Sequence, residues 1–224
     1  MTAAEEIKTY ETVARSCILF SNLTDEEFGN SLDVLRAQYS VYGKGEMIHA
    51  PYLEMKKFGL VLSGTAQACT DDINGNKIIM TEIVPGVTFG ESLCFLEIKD
   101  SPVYVFASER CCVLWLSAEN LFNGCSDKLT VILRKQFTAM LAARTLSMNS
   151  RIQVMSKIKL RDKLMSYFFS LSLKTKSKTF TIPMNREDLA AYIGSDRSAL
   201  SRELSSMKKD GVINIKGKTV KIIL

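Results

Sequence analysis

The hydrophobic period of this chain changes twice, and those changes restrict its fold more tightly than composition does. Between Val41 and Leu116 the apolar residues fall in short runs: Glu46-Met47-Ile48, Phe58-Gly59-Leu60-Val61-Leu62, Ala66-Gln67-Ala68-Cys69-Thr70, Lys77-Ile78-Ile79-Met80, Val103-Tyr104-Val105-Phe106 and Cys112-Val113-Leu114-Trp115-Leu116. Turn residues separate them, and Asn74-Gly75 is the strongest hairpin signal because both residues tolerate positive φ. Short strands with regular turns predict a compact antiparallel barrel or sandwich. Ahead of it, Thr24 is placed to cap a helix through about Tyr39, with Glu27 completing a capping box.

From Lys128 to about Ser156 there is neither Gly nor Pro, and Phe137, Leu141, Met148, Ile152 and Met155 recur at steps of three, four or their sums. That spacing predicts one long amphipathic helix. Its stripe has to be buried, either on its own barrel or, as favoured here, against a second copy across a two-fold axis. The dimer seam is then Phe137, Leu141, Met148 and Ile152. The chain divides into a β-rich domain over 1–127, a dimerisation helix over 128–156 and a smaller domain over 157–224.

Composition excludes several classes. With 46% hydrophobic and 24% charged residues the chain is neither disordered nor fibrous. No run reaches the roughly 18 apolar residues of a membrane span, and the opening Met1-Thr2-Ala3-Ala4-Glu5-Glu6 is acidic, so a cytoplasmic protein without membrane association is expected. The six cysteines, at 17, 69, 94, 111, 112 and 125, include no C-x₂-C pair, which argues against a metal site and for reduced, buried thiols. Cys111 and Cys112 adjoin in a strand and face opposite ways.

Charge is polarised along the chain. Residues 151–224 hold 16 Lys and Arg against 6 Asp and Glu, a net of +10, while 1–150 carry 13 against 18, a net of −5. A polyanionic partner for the C-terminal part is expected. There Asn185 caps a short helix with Leu189, Ala190 and Ile193 on its inner face, Gly194 stops it, and Asp196 caps a second helix. Leu200, Leu204 and Met207 lie at i, i+4 and i+7 on that second helix, so Arg197, Ser198, Ser201 and Arg202 face outward. Small polar side chains flanked by guanidinium groups suit a recognition helix in a major groove. Two alternating strands about Lys216-Gly217-Lys218 form a wing that brings Lys216 and Lys218 to phosphate, joined by Asn185. No catalytic constellation emerges, and a single histidine is too few for the metal site of a cupin-like enzyme.

These residues resemble the CRP/FNR superfamily of bacterial transcription regulators over nearly the whole length. Leu19-Phe20-Ser21-Asn22-Leu23-Thr24 is similar to the family's opening, and Gly43-Lys44-Gly45-Glu46-Met47-Ile48 and Leu60-Val61-Leu62-Ser63-Gly64 to its double-stranded β-helix repeats. Phe89-Gly90-Glu91-Ser92 resembles the start of its effector cassette, and Asp196-Arg197-Ser198-Ala199-Leu200-Ser201-Arg202 its recognition helix. The resemblance implies an α+β protein: a cyclic-nucleotide-binding-like β domain, a long dimerisation helix and a C-terminal winged helix-turn-helix. It implies a homodimer on a palindromic double-stranded DNA operator, an effector held near Gly90, Glu91, Ser92 and Ser101, and RNA polymerase as a partner if the protein activates. Ser198 departs from the glutamate that many members carry there, so the operator need not be the usual family palindrome.

The resemblance also bears on cofactors. Counting without a gap from Glu91 reaches Ser101-Pro102 where nucleotide binders carry the Arg-Ser pair on the cyclic phosphate, which argues against cyclic AMP. Only Cys17 lies in the first sixty residues, against an iron–sulfur sensor, and His49 alone argues against haem. The effector is left unidentified. The rival reading is a small-molecule or redox-sensing regulatory subunit of a larger assembly, with Cys94, Cys111, Cys112 and Cys125 as redox candidates and no direct DNA readout.

Overall fold

In the computed structural model, which describes residues 3–124 and 127–223, the apolar runs up to Ser117 pair into two antiparallel sheets. The first holds β1 (Gln38–Tyr42), β8 (Cys111–Ser117), β3 (Lys57–Ser63) and β6 (Thr88–Phe89) in that order. The second holds β2 (Met47–His49), β7 (Tyr104–Ala107), β4 (Ala66–Asp71) and β5 (Lys77–Ile83). The order 1-8-3-6 against 2-7-4-5 is that of an eight-stranded jelly roll, the double-stranded β-helix.

β3 and β8 are buried on both faces, which their unbroken apolar runs require. Val61, Cys111 and Val113 point between the sheets and join Phe89, Val105 and Ala107. Phe58, Leu60, Leu62, Cys112, Leu114 and Leu116 point the other way, into a second core. Helices close that core: α1 (Ala3–Ser16), α2 (Asp25–Val34), α4 (Ala118–Asn123) and the first turns of α5 (Lys128–Met155). Cys111 and Cys112 thus enter different cores, as their adjacency in a strand demands. α3 (Glu91–Phe95) is the one short helix inserted in the roll after β6.

The second unit, Ala142–Leu224, has its own core. The end of α5, α6 (Leu160–Thr175), α7 (Arg186–Ile193) and α8 (Arg197–Lys209) pack with β9 (Thr179–Thr181), β10 (Ile213–Lys216) and β11 (Thr219–Ile222), which form an antiparallel sheet in the order 10-11-9. Phe168, Leu189, Ile193, Leu200, Met207, Ile213 and Val220 are fully buried there. Among the described residues no helix is long and apolar enough to cross a membrane.

Two expectations need correction. The Thr24 helix has its reciprocal capping box with Glu27 but ends at Val34, because Leu35 is buried as its cap, Arg36 takes a φ of 45° and Gln38 to Tyr42 pair with β8. Phe137 does not stand on a seam open to a partner. It is 2% exposed and sits against Phe58 (5.5 Å between ring centroids) and Phe122 (5.2 Å) in its own core. Leu133 and Met140 share that inward face, and Leu141 is half-buried against the same core, whereas Met148 and Ile152 are exposed. One stripe on paper is two faces, the first spent on the β-rich domain.

Phe137→Ala is therefore expected to destabilise the chain by about 3–5 kcal/mol, and the exposed Val131→Ala to shift it by no more than about 0.5 kcal/mol. Urea unfolding of the two variants side by side measures the contrast.

Candidate nucleic-acid interface

Two caps and a glycine set the angle between α7 and α8. Asn185 Oδ1 accepts from the backbone N–H groups of Glu187 and Asp188, each at 2.9 Å, and starts α7. Gly194 ends it at φ +71°, where a Cβ would lie 2.7 Å from Met155 Cε. Asp196 then accepts from Ala199 N–H at 2.7 Å and starts α8, a hydrogen bond that holds its carboxyl below the usual range.

Leu200, Leu204 and Met207 are buried against α6, α7 and β10, and Arg197, Ser198, Ser201 and Arg202 are exposed: Ser198 and Arg202 stand opposite the buried stripe, Ser201 on its flank, and Arg197, three residues before Leu200, at the helix start on the stripe's own side. A third face is clamped. Arg161, at the start of α6, donates from Nε to Glu203 Oε1 (2.6 Å) and from Nη2 to Ser206 Oγ (2.9 Å), with Nη2 2.7 Å from Asp210 Oδ2. One guanidinium thus contacts residues over two turns at the C-terminal half of α8 and ties that face to α6. Lys216 pairs with Thr219 across the wing turn, and Lys216, Lys218 and Asn185 are all exposed. Arg186 donates from Nη2 to the Gly217 carbonyl at 3.1 Å and ties the wing tip to α7. Arg161 and Arg186 escaped the sequence reading, since their partners lie 42 and 31 residues away.

The cassette residues are scattered in their environments. Gly90 takes φ +81° and leaves room for Met55, whose Sδ would be 2.0 Å from a Cβ there. Glu91 is 2% exposed and accepts from Thr88 Oγ1, while Ser92 next to it is exposed. Ser101 is buried, and its hydroxyl accepts from Val103 N–H at 3.2 Å. The cysteines differ in the same way. Burial, with Glu91 nearby, pushes the Cys94 thiol up to about 12, and burial with Cys112 nearby pushes Cys111 up to about 11. Cys112 is opposed by its burial as well, yet hydroxyls of Ser63, Tyr39 and Tyr10 and the charge of Arg110 bring it below its ordinary value. Tyr39 Oη lies 2.9 Å from its sulfur. Cys125 lies outside the described residues.

Residues 162–224 match the Crp-like helix-turn-helix domain and residues 40–128 the cyclic nucleotide-binding domain. Two curated relatives span nearly the whole chain. Electron transport regulator A of Shewanella oneidensis is 23% identical over 212 residues, 92% of this chain and 82% of its own. The fumarate and nitrate reduction regulatory protein of Escherichia coli is 24% identical over 216 residues, 94% and 84%. The chain belongs to the CRP/FNR family of transcription regulators. Among solved structures its fold is similar to the catabolite activator protein of Thermus thermophilus (23% identity, TM-score 0.51, 92% of this chain and 93% of that one). It is also similar to CprK complexed with OCPA (15%, TM-score 0.59, 89% and 92%).

As a CRP/FNR regulator the chain is a DNA-binding protein and no enzyme. Its nucleotide-binding-like domain carries no guanidinium in the cassette. No arginine occurs between Arg36 and Arg110, and Ser101 at the expected position accepts from Val103 N–H, which leaves only its own O–H to donate. A doubly bonded phosphate anion there would lack its charge-assisted partner.

The helix-turn-helix depends on the left-handed residue between its helices. Gly194→Ala is expected to cost about 1–2 kcal/mol, and Gly194→Asn, which tolerates that conformation, clearly less. Thermal unfolding of the two variants decides the cause: equal losses would trace the requirement to crowding by Met155 instead of backbone conformation.

Proposed function

We propose that the protein is an effector-responsive regulator that binds a palindromic operator as a homodimer. In this reading residues 1–127 sense, 128–156 pair with a second copy and 157–224 read DNA. Arg197, Ser198, Ser201 and Arg202 contact base edges, and Asn185, Lys216 and Lys218 hold phosphates. The observation that carries the reading is the exposed surface of the first turns of α8: Ser198 and Arg202 stand opposite Leu200, Leu204 and Met207, with Ser201 beside them and Arg197 at the helix start, on a helix whose third face Arg161 ties to α6. Guanidinium groups there donate bidentately to guanine, and serines let the backbone approach the groove floor. The net +10 of residues 151–224 supplies the sequence-independent attraction.

Two copies are needed because two-fold readout requires recognition helices about 34 Å apart, one turn of DNA. Met148 and Ile152, exposed four residues apart on α5, support pairing along that helix. The effector is not cyclic AMP, given the cassette's missing guanidinium. If the protein activates, RNA polymerase is the further partner.

Arg202→Ala is expected to cost about 1–3 kcal/mol per half-site and to relax base preference at one operator position. Lys218→Ala weakens all sequences about equally and lowers the salt slope by about one. Selection from a randomised DNA pool separates the two. A wild-type sequence preference retained by the Arg202 variant would make that residue a backbone contact. For the dimer, sedimentation of the native chain should give twice the chain mass and Ile152→Glu the monomer. A wild-type chain that sediments as a monomer yet binds a two-half-site operator tightly refutes the pairing.

A further inference from the structure

The N-terminal domain holds a cleft of about 520 Å³, in the size range of small-molecule sites, beside Gly90 and Glu91 but lined by neither. It opens between the segment before β3, α3 and α4, and its lining includes the apolar side chains of Met55, Phe95 and Phe122. Met55 is fixed where it packs onto Gly90. Phe95 is half exposed and meets Phe122 edge-on at 4.8 Å between centroids, so one aromatic face is left for an occupant. The rim carries Glu54, Glu97 and Glu119 against a single Lys56, which pairs with Glu54 at 3.6 Å. Two carboxylates therefore stand without a lysine among the lining residues. Cys94, also in the lining, adds no charge, since burial keeps its thiol protonated.

The apolar lining connects to the helix that leaves the N-terminal domain. Phe95 and Phe122 both touch Phe137 of α5, at 6.4 and 5.2 Å between centroids. An occupant that moves either ring moves the packing of the α5 side chain that anchors that helix.

We propose that this cleft is an effector site for a small amphipathic organic cation, an aromatic amine whose ring lies on Phe95 and Phe122 and whose ammonium meets Glu97 and Glu119. Apolar lining, exposed aromatic face and carboxylate rim each select one part of such a molecule: cation–π and Coulombic attraction reward the charge, and ring burial the body. The identification of the site as regulatory rests on the reading of the chain as an effector-responsive regulator.

The test uses the full chain and three probes of nearly equal shape: tryptamine, tryptophol and indole-3-propanoate, respectively cationic, neutral and anionic at pH 7. Calorimetry without DNA should show saturable tryptamine binding about three- to tenfold tighter than tryptophol, with indole-3-propanoate weakest. Glu97→Gln and Glu119→Gln, both at exposed positions, should remove most of the preference for tryptamine and leave tryptophol binding unchanged. Equal affinity for the three probes, or a preference that survives both substitutions, overturns the site. Operator affinity with and without saturating tryptamine then reads the regulatory claim: a change of at least about threefold supports it, and no change overturns it. A chain that binds tryptamine but no DNA sequence selectively would count against the DNA-reading proposal and leave the cleft standing, because the calorimetry is read without DNA.

Discussion

Two strands that bury both faces hold the sensor together. Side chains of β3 and β8 alternate between the space inside the jelly roll and the space under the helices, so a slip of one residue would exchange the two sets and leave neither core filled. Everything else leans on that register. Phe89 reaches over Gly59 to meet Trp115 edge-on at 5.4 Å because a glycine faces inward at that point of β3, where a Cβ would fall 2.3 Å from the ring. On the other face Phe58 receives Phe137 and thereby fixes the first turns of α5. Arg134 adds a polar tie, donating to the carbonyls of Leu121, Phe122 and Gly124 at the end of α4. The helix that leaves the sensor is set by the strand pairing at its base.

The recognition helix is held in a different way. Its buried stripe fixes depth, Asp196 fixes the start, and Arg161 ties a third face to α6. Ion pairs that are partly exposed contribute little stability individually, but a guanidinium with acceptors at 203, 206 and 210 restricts orientation even where it adds little free energy. Orientation is what base readout needs, since bidentate contacts lose their value within a fraction of a hydrogen-bond length.

Much of this was legible in the chain itself, for identifiable reasons. The six apolar runs were readable as strands because each is short and bounded by turn residues, and the helix-turn-helix was readable because Asn185, Gly194 and Asp196 are punctuation with a local mechanism. The first two residues of β1, Gln38 and Tyr39, read as helix because they follow a genuine cap with no proline after it, and Gly29 alone is too weak a break to end a helix. β6 and α3, at two and five residues, are too short to carry a period. Phe137 was misplaced because spacing gives a face of a helix and never what lies against it. The clamp at Arg161 and the cleft over Phe95 are made by contacts between distant segments, which no local pattern encodes.

From Ala142 to Asn149 every residue of α5 is exposed, around the full circumference of the helix. Just over two turns thus run with every residue exposed, and a helical segment that short is well under the about 12–15 residues an isolated helix needs to persist in water. Its order is borrowed from the anchored turns on either side, where Phe137 and Val154 are buried. Most of the burial that supports this stretch of α5 therefore lies outside it.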